Sequence, residues 1–251
     1  MKSCRAIAFA VAGLSLPLVS LHAQAAEMRV LASTAVKSVL GEVGPQFERA
    51  TGNKLVFSFG PAAALKDQID KGAPFDVAIL TAPMIDALTK SGKVNAASGV
   101  TFARAGLGVA VHVGRTKPDV STDDAFKTTL LNAQSIGYNG VGASRGGIEA
   151  TFKKLGIADK LKPKIKLLDE SAPVAVAFGR VAIGLGPISE VLPVAGADLV
   201  GPFPADLQYY LVFSIGESRA SNNASADNLL IEYLKSPSVA PVLKSKGMEP
   251  G

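Results

Sequence analysis

Apolar residues recur along the chain in short bursts separated by polar, glycine-bearing turns, and the bursts alternate between two periods. Met28–Ala32 reads as a strand. Val36, Val39, Leu40, Val43 and Phe47 then fall at the three- and four-residue spacing of an amphipathic helix, with Ser33 or Thr34 as a natural N-cap and Thr51-Gly52 as its stop. Lys54–Phe59 repeats the strand and Gly60-Pro61-Ala62-Ala63 the turn. A helix through Leu65 and Ile69 to Gly72 follows, with Pro61 acceptable in its first turn. Asp76–Leu80 is a short buried strand, and Met84, Ile85 and Leu88 mark a helix ending at Gly92. This β-α-β-α-β-α series is the pattern of a parallel sheet covered by helices.

Gly106–Val113 is strongly apolar and breaks the alternation, which suits a crossover strand. A second βα series follows. A helix spans Thr122–Leu131 with Thr122 as cap, a strand spans Gln134–Tyr138, and a short helix carries Ile148, Phe152 and Leu155 on one face with Gly156 as C-cap. Strands at Lys164–Leu168 and Arg180–Leu185 flank a short helix at Val174–Phe178, introduced by Glu170-Ser171-Ala172-Pro173. Tyr209–Ile215 reads as a long strand returning to the first series, and helices at Leu229–Leu234 and Val239–Lys246 close the chain. The expected division is one lobe from residues 26–106 with 214–251 and a second from 107–213, with crossovers near 106–113 and 209–215. No solenoid period and no low-complexity segment interrupts this rhythm.

The N-terminus adds an address. Lys2 and Arg5 precede the apolar stretch Ala6–Leu21, and Ala23-Gln24-Ala25 supplies small residues for cleavage, so residues 1–25 read as a secretory signal peptide. Export to the periplasm follows, with no stable membrane insertion. The only cysteine, Cys4, lies inside that signal, so the mature chain has no disulfide and no thiolate metal site to draw on. Removing Lys2 and Arg5 takes the formal net charge from +5 to +3, too little and too scattered to argue for nucleic acid.

The candidate chemistry sits in four turns that share one design: strand, small polar residues, helix. They are Ser33-Thr34, Gly60-Pro61-Ala62, Gly142–Gly147, and Ser171-Ala172-Pro173 with Gly186-Pro187 nearby. In open α/β sheets ligands bind beyond the carboxyl ends of the strands, where such turns converge, and helix N-termini there favour negative charge. The third turn, following Tyr138 and Asn139, carries Ser144, Arg145 and Gly146. Its arginine is a planar fork suited to a carboxylate. Each hydroxyl suits ordinary helix capping equally well. The residues expected to touch a ligand are therefore Ser33, Thr34, Ala62, Tyr138, Ser144, Arg145, Gly146, Ser171 and Pro187. No zinc motif, nucleotide-binding glycine spacing or nucleophile elbow is present, so neither metal nor cofactor is expected.

Taken together, Phe47-Glu48-Arg49-Ala50-Thr51-Gly52, Val56-Phe57-Ser58-Phe59-Gly60, Ala63-Ala64-Leu65, Gln68-Ile69 and Gly72-Ala73-Pro74-Phe75-Asp76-Val77 resemble the periplasmic solute-binding proteins of the molybdate-binding, type II class. The resemblance covers nearly all of the mature sequence. It implies an α/β, two-lobed fold, each lobe a mostly parallel sheet flanked by helices, closing on a small anion. A monomer serving an ABC permease is implied with it. Molybdate binders carry serines in the second turn and a tyrosine after the strand corresponding to Ala182–Leu185. Here those positions are Pro61-Ala62-Ala63 and Gly186-Pro187, which points towards an organic carboxylate.

Lys117-Pro118-Asp119-Val120-Ser121, Asp124-Ala125-Phe126-Lys127 and Ala143-Ser144 further resemble the aconitate isomerase branch of the same fold. That resemblance implies a 1,3 proton shift in a tricarboxylate, which needs a base beside the allylic carbon. Tyr138, Glu149 and His112 are the candidates for it, and none is singled out. Transport and isomerisation both remain open from sequence.

Overall fold

The structure is a computed structural model that describes residues 26–251. The signal peptide expected at 1–25 lies outside the described residues.

Strand β1 (Glu27–Ser33) passes through a single 3-10 turn, Thr34–Val36, into α1 (Lys37–Thr51). Then come β2 (Lys54–Gly60), α2 (Ala62–Asp70), β3 (Val77–Thr81), α3 (Ala82–Lys90) and the long β4 (Val100–His112). The second series runs α4 (Asp123–Asn132), β5 (Ile136–Asn139), α5 (Arg145–Lys154), α6 (Ala158–Leu161), β6 (Ile165–Leu168), α7 (Ala172–Ala177), β7 (Ile183–Pro187), α8 (Ile188–Val191) and β8 (Ala197–Pro202). The chain returns through β9 (Tyr210–Glu217), α9 (Ala224–Lys235), α10 (Ala240–Ser245) and β10 (Glu249–Pro250).

The strand order is β2-β1-β3-β9-β4-β7-β5-β6, with β8 and β10 both pairing with β4. Residues 100–106 of β4 pair antiparallel with β9, whereas 107–112 pair with β7 and β8. One strand therefore serves both lobes. Around it β1, β2 and β3 are mutually parallel, as are β5, β6 and β7. The molecule is the expected two-lobed α/β fold, with helices on the faces of mostly parallel sheets.

The local reasons match the sequence. Val39, Leu40, Val43 and Phe47 on α1 are buried against β1 and β3, and β3 is buried along its whole length. In the second lobe Phe126, Ile148 and Phe152 pack over β5 and β7. Gly52 (φ 76°) and Gly156 (φ 68°) take the left-handed conformation that ends α1 and α5. Thr122 caps α4, its hydroxyl accepting from the Ala125 N–H at 3.2 Å.

Three expectations need adjustment. The crossover strand begins at Val100, six residues before Gly106, because Val100–Gly106 also find partners on β9. Helix α5 begins at Arg145, three residues before its first apolar contact. The strand also stops one residue short of Val113, which leaves His112 as the exposed last residue of β4, with Nδ1 2.8 Å from the Val113 carbonyl.

At the amino ends of β1 and β3, opposite the turns described below, lies a buried acidic cluster. Asp76, Glu217 and Asp227 are all under 6% exposed. Arg29 donates through its backbone N–H (2.7 Å) and Nε (3.2 Å) to Asp76 Oδ2, and Ser221 Oγ lies within reach of both Asp76 and Asp227. Asp227 Oδ1 is buried without a partner. Burial, together with the neighbouring Asp76 and Glu217, pushes the Asp227 carboxyl up to about 6.

Candidate functional site

The carboxyl ends of β1, β2, β5, β6 and β7 all open on one cleft between the lobes, a cavity of about 170 Å³. Ser33 and Thr34 enter it from the end of β1, and Pro61 and Ala62 from the start of α2. From the second lobe come Asn139 and Gly142–Ser144 before α5, Asp169–Ser171 before α7, and Pro187 with Glu190 around the start of α8. Each parallel strand delivers its turn to the same edge of its sheet, so turns distant in sequence converge there.

Ser33, Ser144 and Ser171 occupy N-cap positions, but none of their hydroxyls caps its helix. Thr122, outside the cleft, does cap. Ser33 is 6% and Ser144 4% exposed. Among the described residues these three hydroxyls make no hydrogen bond within the protein, so the ordinary reason for a serine at a helix start does not account for them.

The expected ligand residues divide clearly. Ser33, Thr34, Ala62, Ser144, Ser171 and Pro187 line the cleft. Tyr138, Arg145 and Gly146 do not. Tyr138 is buried in the second lobe's core beside Phe152, and its hydroxyl donates to Glu149 Oε1 at 3.3 Å. Burial and that carboxylate push its phenol up to about 12, so it holds its proton at any ordinary pH. Arg145 turns along α5, its Nε 2.8 Å from Glu149 Oε1 and its Nη1 2.8 Å from the Gly140 carbonyl. The arginine fork already has a carboxylate, and it is one of the protein's own. Gly146 is exposed one residue further along. The three base candidates, Tyr138, Glu149 and His112, are all absent from the cleft lining.

Three acidic residues missed by the sequence reading line the cleft instead: Asp169, Glu170 and Glu190. Glu170 pairs with Arg180 at 2.7 Å. Among the described residues Glu190 has no such partner. Desolvation alone pushes its carboxyl up to about 7, so near neutrality it exists as both acid and anion. Asn139 also lines the cleft, but its side chain is committed to the loop, donating to the Glu170 carbonyl at 3.0 Å and accepting from the Val141 N–H at 2.9 Å. Among the described lining residues there is no lysine, arginine or histidine. An anion here meets hydroxyls and helix N-termini, with Asp169, Glu170 and the protonatable Glu190 in the same lining.

A larger open groove of about 800 Å³ runs past His112, Arg115, Lys166 and Arg180. It lies at the amino ends of β5 and β7, the end of a parallel sheet that rarely holds a ligand.

Comparison with known proteins agrees with this geometry. The family described as bacterial extracellular solute-binding protein matches residues 28–249. An aconitate isomerase of Pseudomonas sp. is 29% identical over 229 residues, 89% of this chain and 87% of the relative. The molybdate-binding protein ModA of Azotobacter vinelandii is 29% identical over 262 residues, 94% of this chain and 95% of the relative. The solved periplasmic molybdate-binding protein of Azotobacter vinelandii superposes with a TM-score of 0.77 at 20% identity, covering 89% of this chain and 99% of that one.

Proposed function

Since the chain belongs to the bacterial extracellular solute-binding protein family, we propose that it is a periplasmic receptor that captures a small organic carboxylate between its lobes and hands it to an ABC-type importer. The observation that carries this reading is the lining of the cleft. Free hydroxyls from both lobes surround it, no lysine, arginine or histidine lines it among the described residues, and Glu190, its carboxyl raised by desolvation, is able to donate a proton to an acceptor. Carboxylate and molybdate both accept hydrogen bonds from hydroxyls and N–H groups. A carboxylic acid donor adds a short, charge-assisted bond to a carboxylate. The apolar Pro61-Ala62 edge removes hydroxyls on the side where a carbon skeleton would rest.

The similarity to aconitate isomerase favours one second reading, interconversion of cis- and trans-aconitate on the same site. That reaction removes a proton from the methylene carbon. The C–H electron pair becomes the new double bond, and the former π pair takes a proton at the other end of the allylic system. Carboxyl groups lining the cleft are the available bases.

A thermal-shift screen of trans-aconitate, cis-aconitate, tricarballylate, citrate, molybdate, tungstate and sulfate tests the first reading, because a ligand of the folded state raises the melting point by mass action. Carboxylates are expected to stabilise the protein and molybdate is not; the reverse result rejects the reading. NMR of trans-aconitate incubated with the protein then separates receptor from isomerase.

A further inference from the structure

We propose that Glu190 is the proton-carrying group of the cleft: it meets the bound carboxylate in its acid form, so that ligand capture takes up a proton. This rests on the carboxylate reading above.

The geometry comes first. Glu190 sits on α8, a single turn that leaves β7 through Pro187. It lines the same cavity as Ser33, Ser144 and Ser171. Ser33 and Ser144 are more than nine-tenths buried, with hydroxyls that no group among the described residues satisfies, so the cavity is prepared for an acceptor. Glu190 is only partly exposed, and among the described residues it has neither an ion-pair nor a hydrogen-bond partner.

The charges on the elements packed around α8 do not supply one. The Thr34–Val36 turn, α7 and β7 carry no ionisable side chain. Lys37, just beyond that turn, stands over the Phe59 ring. On β4, Arg104 is held by Glu249, and His112 is at the strand's far end. On β8 the only titratable group is Asp198. Gly247, in the turn after α10, packs on Ile188 and Leu192, and its neighbour Lys246 is held by Glu42 at 2.8 Å. Asp169 and Glu170 line the cleft itself, Glu170 already paired with Arg180.

An ionised Glu190 would therefore face an incoming carboxylate with no cation between them, and two carboxylates at close range cannot both stay charged without cost. Neutral, the same group becomes a hydrogen-bond donor. Its raised titration point means that little free energy is needed to hold the proton near neutral pH. Binding an anion beside it raises that point further. The sign follows: affinity is full below about pH 7 and is lost as pH rises through the bound-state value. A fully ionised oxyanion such as molybdate gains from the same donor, but lacks the planar two-oxygen edge that matches a carboxyl.

Titration calorimetry with trans-aconitate tests this, because its own carboxyls are ionised above about pH 6. Measurements at about pH 6, 7 and 8.5, each in two buffers of different ionisation enthalpy, give both the Kd and the protons exchanged. The wild-type protein should take up close to one proton above neutrality, with Kd rising up to about tenfold per pH unit there. Glu190→Gln retains an N–H donor and cannot titrate, so its Kd should stay flat with no proton uptake. Proton exchange is read on the wild type, so it stands even if the variant folds poorly. A wild-type Kd independent of pH, without proton uptake, overturns the proposal while leaving the carboxylate reading intact. So does a Glu190→Gln protein with an undiminished pH dependence. Binding of molybdate with no carboxylate bound at any pH removes the carboxylate reading, and the proposal with it.

Discussion

The side-chain amide of Gln208 clasps the backbone of Leu107. Its Nε2 donates to the Leu107 carbonyl at 3.0 Å, and its Oε1 accepts from the Leu107 N–H at 2.8 Å and from the Tyr209 N–H at 2.9 Å. Leu107 is the residue where β4 passes from one sheet to the other, and Gln208 stands two residues before the returning strand β9, so one amide ties the two crossovers together. Gln208→Ala leaves the Leu107 N–H its 3.2 Å bond to the Tyr209 carbonyl. The expected loss is therefore moderate, about 1–2 kcal/mol of stability in urea denaturation. Hydrogen exchange at the crossovers should rise more than in either core.

Arg145 should matter little. It is half-exposed and spent on an i,i+4 pair with Glu149 and on the Gly140 carbonyl. Arg145→Ala is expected to cost about 0.5 kcal/mol of stability and to change the Kd for trans-aconitate by less than about threefold. Calorimetry showing a loss of a hundredfold would mean that lobe closure swings the guanidinium off Glu149 and onto the ligand.

The serines should behave otherwise. Ser33→Ala and Ser171→Ala each remove a hydroxyl that no helix is using. A hydrogen bond to a charged ligand contributes about 1.5–3 kcal/mol, so each change should weaken binding roughly ten- to hundredfold. Melting points without ligand should stay close to wild type. A fall in those melting points with unaltered binding would assign the hydroxyls to structure.

Stability should decline as pH rises from about 4 to about 7. Asp227 titrates at about 6 in the folded protein against 3.8 for an ordinary aspartate, and Glu190 at about 7 against 4.5. Groups raised on folding contribute stability that is fully present below the unfolded value and lost as pH climbs through the folded one. For Asp227 the span amounts to on the order of 2–3 kcal/mol. Chemical denaturation at about pH 4.5 and pH 7.5 should show the difference in wild type and a flatter profile in Asp227→Asn. A profile rising with pH in both would exclude the cluster as its source.

The sheet-and-helix rhythm was readable because each βα unit carries its own period and its own stop, as Val39-Leu40-Val43-Phe47 before Gly52 shows. Six cleft residues were readable for a related reason: turns at the carboxyl ends of parallel strands are forced to one edge. What failed was whatever depends on pairing between distant segments. Strand β8, Ala197–Pro202, has no alternation of its own and exists because β4 offers it an edge. Glu190 sits in a one-turn helix too short for any period, and its environment is made by loops far away in sequence. Arg145 was misplaced despite a local clue. Glu149 stands four residues on, the spacing at which a helix pairs its own charges.

Strand β4 carries a mechanical consequence. Its thirteen residues are hydrogen-bonded to one sheet at the start and to the other at the end, with no slack between. The lobes are thus joined as two boards are by a leaf spring, not by a string. Any approach of Ser33 towards Ser171 must flex this strand and β9 beside it. The strand that aligns the two halves is thereby also the one that bears the bending of any closure between them.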